Sequence, residues 1–377
     1  MSSILYINSK GKAVNTHSYS SGLTWKCPRR YKHLKIDGYS SRDDRSSLEF
    51  GKAIESAMQH FSQNGREPGT AVLNFKQIWQ HYQLDSSLVY TAADKDWENL
   101  YRVGSELMAL YELTIHKLPI KNEIFQTNYK KELFPDTEYA GLQWQSYLDV
   151  ISEVPWDHPL LPPLAEIPEN EMRKLIIDIK TSANAYSESN HRIYQLDGQL
   201  RQYAWGTGIA DVAFLVLVKN GTKIGPGDRV TSLIDGNEYF VLSVLDSGVI
   251  LVKDDKVYDE YREKDKDIKG KGSQAAKEDL LAKYALTFGY KVAPEQVTKQ
   301  RIQFLAVTIP QEDQEEAGEQ VGKEAVEIAQ AFQNNWFPKC PGVRFPNQVC
   351  NQCECLGLCL GDEKLVKQRL IQIGGDF

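Results

Sequence analysis

The sequence predicts an α/β protein, and two observations carry that prediction. Short apolar runs enter polar turns as buried strands do: Leu175-Ile176-Ile177 in RKLIIDIKTS, Val212–Val218 in VAFLVLVKN, and the run in QRIQFLAVTIP. Stretches of helical spacing alternate with them, the pattern of a sheet flanked by helices.

In chain order, Leu48, Ile54, Ala57, Met58 and Phe61 approximate one helix face. A second helical stretch carries Trp97, Leu100, Tyr101, Leu107, Met108 and Tyr111. Residues 120–151 read as strands ending in LQWQSYLDVI, and YQLDGQLRQYAWGTGI returns to helical spacing with Leu196, Leu200 and Tyr203. Val321, Ala325, Ile328 and Phe332 are in helical phase near the C-terminus.

Between these core parts, residues 219–255 change character. IGPGDRVTSLIDGNEYFVLSVLDSGVILVKDD alternates short strands with Gly-Pro-Gly, Asp-Gly and Asp-Ser-Gly turns, and resembles a small SH3-like β-barrel. The run at 256–277 is rich in Lys, Asp, Glu and Gly with almost no apolar residue, and reads as a solvated linker. The expected organisation is a core over 1–218, an inserted β subdomain over 219–255, a charged linker and helical segment over 256–299, and core completion over 300–377.

Composition narrows the class. With 377 residues, 41% hydrophobic and 25% charged, the chain is ordinary for a soluble globular protein. Its longest apolar run, Val212–Val218, is far short of the ~20 residues of a membrane helix. Only four consecutive apolar residues occur in MSSILYINSKGK, too few for a signal peptide, so a cytoplasmic location without membrane partners is expected. A net charge of −7 argues against a generally basic nucleic-acid coat, but residues 1–50 hold nine Lys/Arg against four Asp/Glu. Six cysteines are few for a secreted disulfide scaffold, and five fall between Cys340 and Cys359, the usage of a metal-binding cluster.

Asp-Ile-Lys occurs twice, at Asp178–Lys180 and Asp267–Lys269. Chance supplies about one Asp-x-Lys in a chain of this length, so context must separate them. Asp267 and Lys269 sit in the charge run and read as a solvated surface. Asp178 and Lys180 follow an apolar strand, where i and i+2 share one face, and burying both charges is costly unless they pair or bind an ion. A structural ion pair at a strand end accounts for the motif alone. Asp149 in SYLDVISEV supplies a second carboxylate for a hard divalent ion, and Gln199 and Tyr203 at i and i+4 share a helix face.

The order Asp … Asp-x-Lys … Gln-x-x-x-Tyr resembles the PD-(D/E)XK nuclease superfamily, nearest the RecB, AddB and Cas4 exonuclease branch. The resemblance spans roughly 16–218 and 300–360. It implies a restriction-endonuclease-like mixed-sheet core flanked by helices, and a Mg²⁺- or Mn²⁺-dependent DNA exonuclease of repair, recombination or phage metabolism. It assigns metal binding to Asp149 and Asp178, water positioning to Lys180, and strand or ligand support to Gln199 and Tyr203. Where that branch carries a helical histidine, FGKAIESAMQHF puts Glu55, a further metal ligand by the same likeness. His60 lies five residues on, about 140° around the helix, and reads as a satisfied helix residue. Ser146 replaces a glycine often seen before the second-motif aspartate.

Cys350, Cys353 and Cys359 form C-x2-C-x5-C, and Cys340 would complete a local tetrahedral Zn²⁺ site. SYSSGLTWKCPRRYKHL also resembles the iron–sulfur branch of the family. That likeness implies a [4Fe–4S] cluster on Cys27, Cys350, Cys353 and Cys359, stapling the chain ends, with Cys340 and Cys355 spare. Arg29, Arg30, Lys32, Lys35, Arg42 and Arg45, interleaved with Tyr31 and Tyr39, suit a groove that tracks phosphates and stacks bases. The expected partners are DNA ends and a helicase or recombination protein. The competing expectations are a nuclease fold kept only for DNA or partner binding, and a zinc-site protein with an incidental Asp-x-Lys.

Overall fold

A computed structural model describes residues 15–42, 44–92, 94–164, 171–187, 191–220, 223–245, 248–269, 274–299, 301–339, 350 and 353–372. Two short helices, Tyr19–Trp25 and Pro28–Tyr31, precede three longer ones: α1 (Ser46–Gln63), α2 (Thr70–Gln80) and α3 (Trp97–Thr114). The main sheet takes in a short strand, Thr16–His17, then β1 (Ile124–Glu132), β2 (Gln143–Pro155), which pairs parallel with that short strand, and β3 (Met172–Ser182), and continues through α4 (Gly198–Thr207) to β4 (Asp211–Val218).

A second sheet follows: β5 (Arg229–Ser232), β6 (Glu238–Leu245) and β7 (Gly248–Val252), then helices α5 (Asp255–Lys269) and α6 (Gln274–Phe288), then β8 (Tyr290–Val292) and β9 (Val297–Lys299). The chain returns to the main sheet with β10 (Ile302–Thr308) and covers it with α7 (Gln311–Gln333).

The main sheet is mixed, so the protein is α/β. β2 pairs antiparallel with β1 and β3, β3 parallel with β4, and β4 antiparallel with β10. Its apolar positions divide between two helix layers. Val150, Leu175, Ile177 and Ala213 pack against α1, α2 and α3, whereas Trp144, Leu148, Ile176 and Val212 pack with Leu200 and Tyr203 of α4 and Val321 of α7. β4 is buried along its whole length, as a strand covered on both faces must be.

Several sequence expectations are corrected. Leu48 is exposed, and Phe50 and Ala53 fill the α1 face in its place. Leu196 is exposed too, because it ends the 3₁₀ turn His191–Leu196 instead of entering α4.

The charged run is not a linker: α5 has an apolar edge of Val257, Tyr258 and Tyr261 that packs with α6 on Leu242, Ile250 and Val252 of the second sheet. Three such residues suffice to seat an otherwise charged helix. The inserted unit therefore runs from β5 to β9, past the expected boundary at 255. Its order is β8-β7-β6-β5-β9, antiparallel throughout, with a separate core around Val241, Val249 and Leu251.

The chain ends meet directly. Leu370–Gln372 pairs antiparallel with Tyr39–Ser41, Arg29 N donates to Pro338 O at 3.1 Å, and Tyr31 and Ile36 pack with Ile328 and Phe337. Among the described residues, no helix is long and apolar enough to cross a membrane.

Candidate active site

The site lies where β2 and β3 part. Their ladder runs from Pro155↔Met172 to Val150↔Ile177 and ends there, while β3 continues alongside β4 to Ser182. Asp149 is the next residue of β2 and Asp178 the next of β3. The Asp149 carboxylate fills the start of the gap: its Oδ2 accepts the Ile179 N–H at 2.8 Å, a donor the departing strand leaves without a ladder partner.

Asp178 and Lys180 point to the α4 side of the sheet, as alternation from Ile176 requires. Asp178 is 1% exposed. Lys180 Nζ lies 2.5 Å from its Oδ2 and donates to Gln199 Oε1 at 3.1 Å. Gln199 Nε2 donates to Asp178 Oδ1 at 3.0 Å, as does the Tyr203 hydroxyl at 3.2 Å.

Helix α4 is positioned for this by its start and its packing. The Asp197 side chain accepts from Gln199 N at 2.9 Å and Leu200 N at 3.0 Å, an N-cap that holds the first turn beside the carboxylate. Further along, a Cβ on Gly206 would collide with the Trp144 ring, so glycine there lets α4 lie close on β2.

From the opposite layer, α1 brings Glu55, whose Oε2 accepts from Gln126 Nε2 at 3.3 Å. Glu55, Asp149, Asp178 and Lys180 lie within electrostatic range of one another. Burial, then the Asp178 and Glu55 charges, push the Asp149 carboxyl up to about 8. Burial followed by Asp178 also raises Glu55, and burial raises Asp178 against the pull of Lys180. Burial works against the Lys180 ammonium, yet the Asp178 carboxylate raises it overall. Burial and the two aspartates raise the Tyr203 phenol.

The donor chemistry fits a hard divalent cation. Three carboxylates face one ammonium, an excess of negative charge that a half-buried site must neutralise with protons or a cation. Asp178 Oδ2 is buried, and its counter-charge is the Lys180 ammonium 2.5 Å away. As the side chains stand, no three His, Cys, Asp or Glu among the described residues converge closely enough to hold an ion.

All five residues of the Asp … Asp-x-Lys … Gln-x-x-x-Tyr set therefore meet, with Glu55 beside them. His60 stands at the far end of α1, near Asn64 Nδ2 at 3.3 Å. Asp267 is an exposed residue of α5. Sequence reasoning missed Gln126, and also Tyr19, whose phenol is raised by burial and then by Asp197 and Asp178. A lone Gln and a lone Tyr in polar surroundings carry no signal of their own.

At the chain ends, Cys27 caps the helix Pro28–Tyr31, and Cys353 N donates to Cys350 O at 3.0 Å. Burial, then the charges of Cys27 and Cys353, raise the Cys359 thiol, so Cys359 lies within electrostatic range of both. Cys355 is buried, and the hydrogen bond between it and Cys353 lowers Cys353 to about 7. Cys340 lies outside the described residues.

The basic stretch is largely occupied. Arg29 Nε donates to Phe337 O at 2.7 Å, Arg30 pairs with Glu354 at 2.8 Å, and Lys32 with Asp37 at 2.7 Å. Tyr31 is 2% exposed and belongs to the core, so it cannot stack on bases. Lys35, Arg42 and Arg45 remain exposed.

No family model matches this chain, and no curated protein matches it. It is similar to a solved structure described as "Crystal structure of SSO0001", at 10% identity and a TM-score of 0.30, covering 93% of this chain and 88% of that one. A likeness this slight assigns neither fold family nor function.

Proposed function

We propose that this chain is a divalent-metal-dependent deoxyribonuclease with a restriction-endonuclease-like core, acting as an exonuclease on DNA ends in repair, recombination or phage DNA metabolism. The observation that carries the reading is the strand fork that brings Glu55, Asp149 and Asp178 into electrostatic range of one another beside Lys180, three carboxylates against one ammonium. Glu55, Asp149 and Asp178 would hold Mg²⁺ or Mn²⁺. Such an ion, when bound, supplies Lewis acidity at the scissile phosphate and makes water a stronger nucleophile at neutral pH.

The chain's own groups do the rest. Lys180 presents an ammonium on the face of β3 that carries Asp178, where it orients a water and offsets phosphate charge. Gln199 and Tyr203 fix the Asp178 carboxylate through hydrogen bonds to Oδ1, while its Oδ2 faces Lys180. The same reading assigns Cys27, Cys350, Cys353 and Cys359 to a [4Fe–4S] cluster beside the joined chain ends. Protein purified without oxygen would then be brown and contain acid-labile sulfide, whereas a colourless protein containing zinc would favour the alternative structural Zn²⁺ site.

End-labelled single- and double-stranded DNA, incubated with the protein and Mn²⁺ or Mg²⁺, tests the activity. The expected result is shortening of the label that a chelator stops and Lys180→Ala loses. Tight binding without cleavage would make the chain a nuclease-fold DNA-binding protein instead.

A further inference from the structure

β1 contains a conformation its residue type disfavours. Gln126 has φ 52° inside an otherwise extended strand, a left-handed backbone that residues bearing a Cβ seldom adopt. The β1–β2 ladder registers Phe125 with Val150 and Thr127 with Leu148, but skips the rung between them, Gln126 opposite Asp149.

The core records the consequence. Phe125 and Val150 pack with the α1–α3 layer, whereas Tyr129 and Leu148 pack with the α4 layer. Simple alternation would keep Phe125 with Tyr129, and Val150 with Leu148, on one side. Both strands therefore exchange faces at this single rung. Gln126 is itself exposed, so the exchange does not serve to bury its side chain.

What the rung achieves is chemical. The Gln126 amide donates to Glu55 Oε2, and its rung partner Asp149 turns toward β3 to accept from Ile179 N. Backbone held in a sparsely populated region persists where the surroundings over-determine it, and such residues cluster at functional sites.

We propose that Gln126 is a positioning residue of the divalent-cation site, holding the Glu55 carboxylate toward Asp149 and Asp178 against their mutual repulsion. The proposal rests on the metal-dependent reading given above. Glu55 arrives from the opposite helix layer on a flexible side chain, and among the described residues Gln126 is its one recorded hydrogen-bond partner. Removing the amide frees the carboxylate to turn away from two like charges.

Titration calorimetry of the full chain with Mn²⁺ tests this in the absence of DNA. Gln126→Gly removes the amide and accepts the left-handed backbone, so the fold is retained and its melting point in chelator does not fall. Its Mn²⁺ affinity is expected to drop about tenfold or more, the usual effect of removing a group that orients a metal ligand. Gln126→Asn keeps an amide and tolerates the same φ, and is expected to retain more affinity than the glycine variant.

A Gln126→Gly affinity within twofold of the parent, while Asp178→Asn abolishes binding, would overturn the proposal and leave the site reading standing. A parent protein that binds no Mn²⁺ would overturn both. Should the glycine variant not fold, Gln126→Ala is judged by the same twofold threshold.

Discussion

Asp178-Ile179-Lys180 and Asp267-Ile268-Lys269 are one tripeptide in two settings. In β3 the two charged residues share a face, Lys180 Nζ sits 2.5 Å from the Asp178 carboxylate, and Gln199 and Tyr203 complete its partners. In a helix such as α5 the same i, i+2 spacing turns residues about 200° apart instead of onto one face, and Asp267 faces solvent. Period and burial, not the tripeptide, set the two copies apart.

The comparison is broken most severely by activity. Asp178→Asn or Lys180→Ala is expected to reduce metal-dependent DNA cleavage roughly a thousandfold, the scale of several kcal/mol of lost transition-state stabilisation. Asp267→Asn is expected to leave the rate within about twofold, because it changes a solvated side chain of α5. Initial rates on end-labelled DNA distinguish these outcomes.

Next in size are the residues that hold Asp178. Gln199→Ala and Tyr203→Phe should each lower cleavage about 10–100-fold, as loss of a ligand's supporting hydrogen bond does. Tyr203→Phe should also change stability by about 1–3 kcal/mol, since it removes a bond to a buried carboxylate. The matched Asp267→Asn change should stay within about 0.5 kcal/mol. Urea titrations in chelator measure both.

A subtler contrast appears in pH. With its carboxyl at about 8 when folded, against 3.8 ordinarily, Asp149 keeps a proton in the metal-free folded protein that the unfolded chain releases. Its contribution is therefore fully present below pH ~4, declines as pH rises toward ~8, and is level above. Asp149→Asn is expected to flatten the fall of the melting temperature across that window, though not to remove it, because Glu55 and Asp178 are raised as well.

The site was readable where regular geometry does the placing. A strand puts Asp178 and Lys180 on one face, and a helix puts Gln199 and Tyr203 on another, so spacing alone brings each pair together. Glu55 came only from motif order, since nothing in its own helix marks it out. Gln126 was invisible because a polar residue in a strand normally signals a solvent face, and a left-handed φ has no signature in a glutamine.

Elsewhere the misses share a cause. Three apolar residues among many charges, Val257, Tyr258 and Tyr261, seat α5 on the second sheet, yet they leave its composition looking like a linker. Strands β8 and β9 have three residues each, too few for alternation to show. Tyr31 was counted with the cations beside it, although its ring closes the apolar contact between the chain ends.

The most direct measurement is the release of label from DNA by the parent protein, Asp178→Asn and Asp267→Asn, each with Mn²⁺ and with chelator. Cleavage by the parent and Asp267→Asn, abolished by chelator and absent in Asp178→Asn, is the predicted result. Equal cleavage by Asp178→Asn, or none by the parent, would contradict the assignment of the strand fork as a metal-dependent nuclease site.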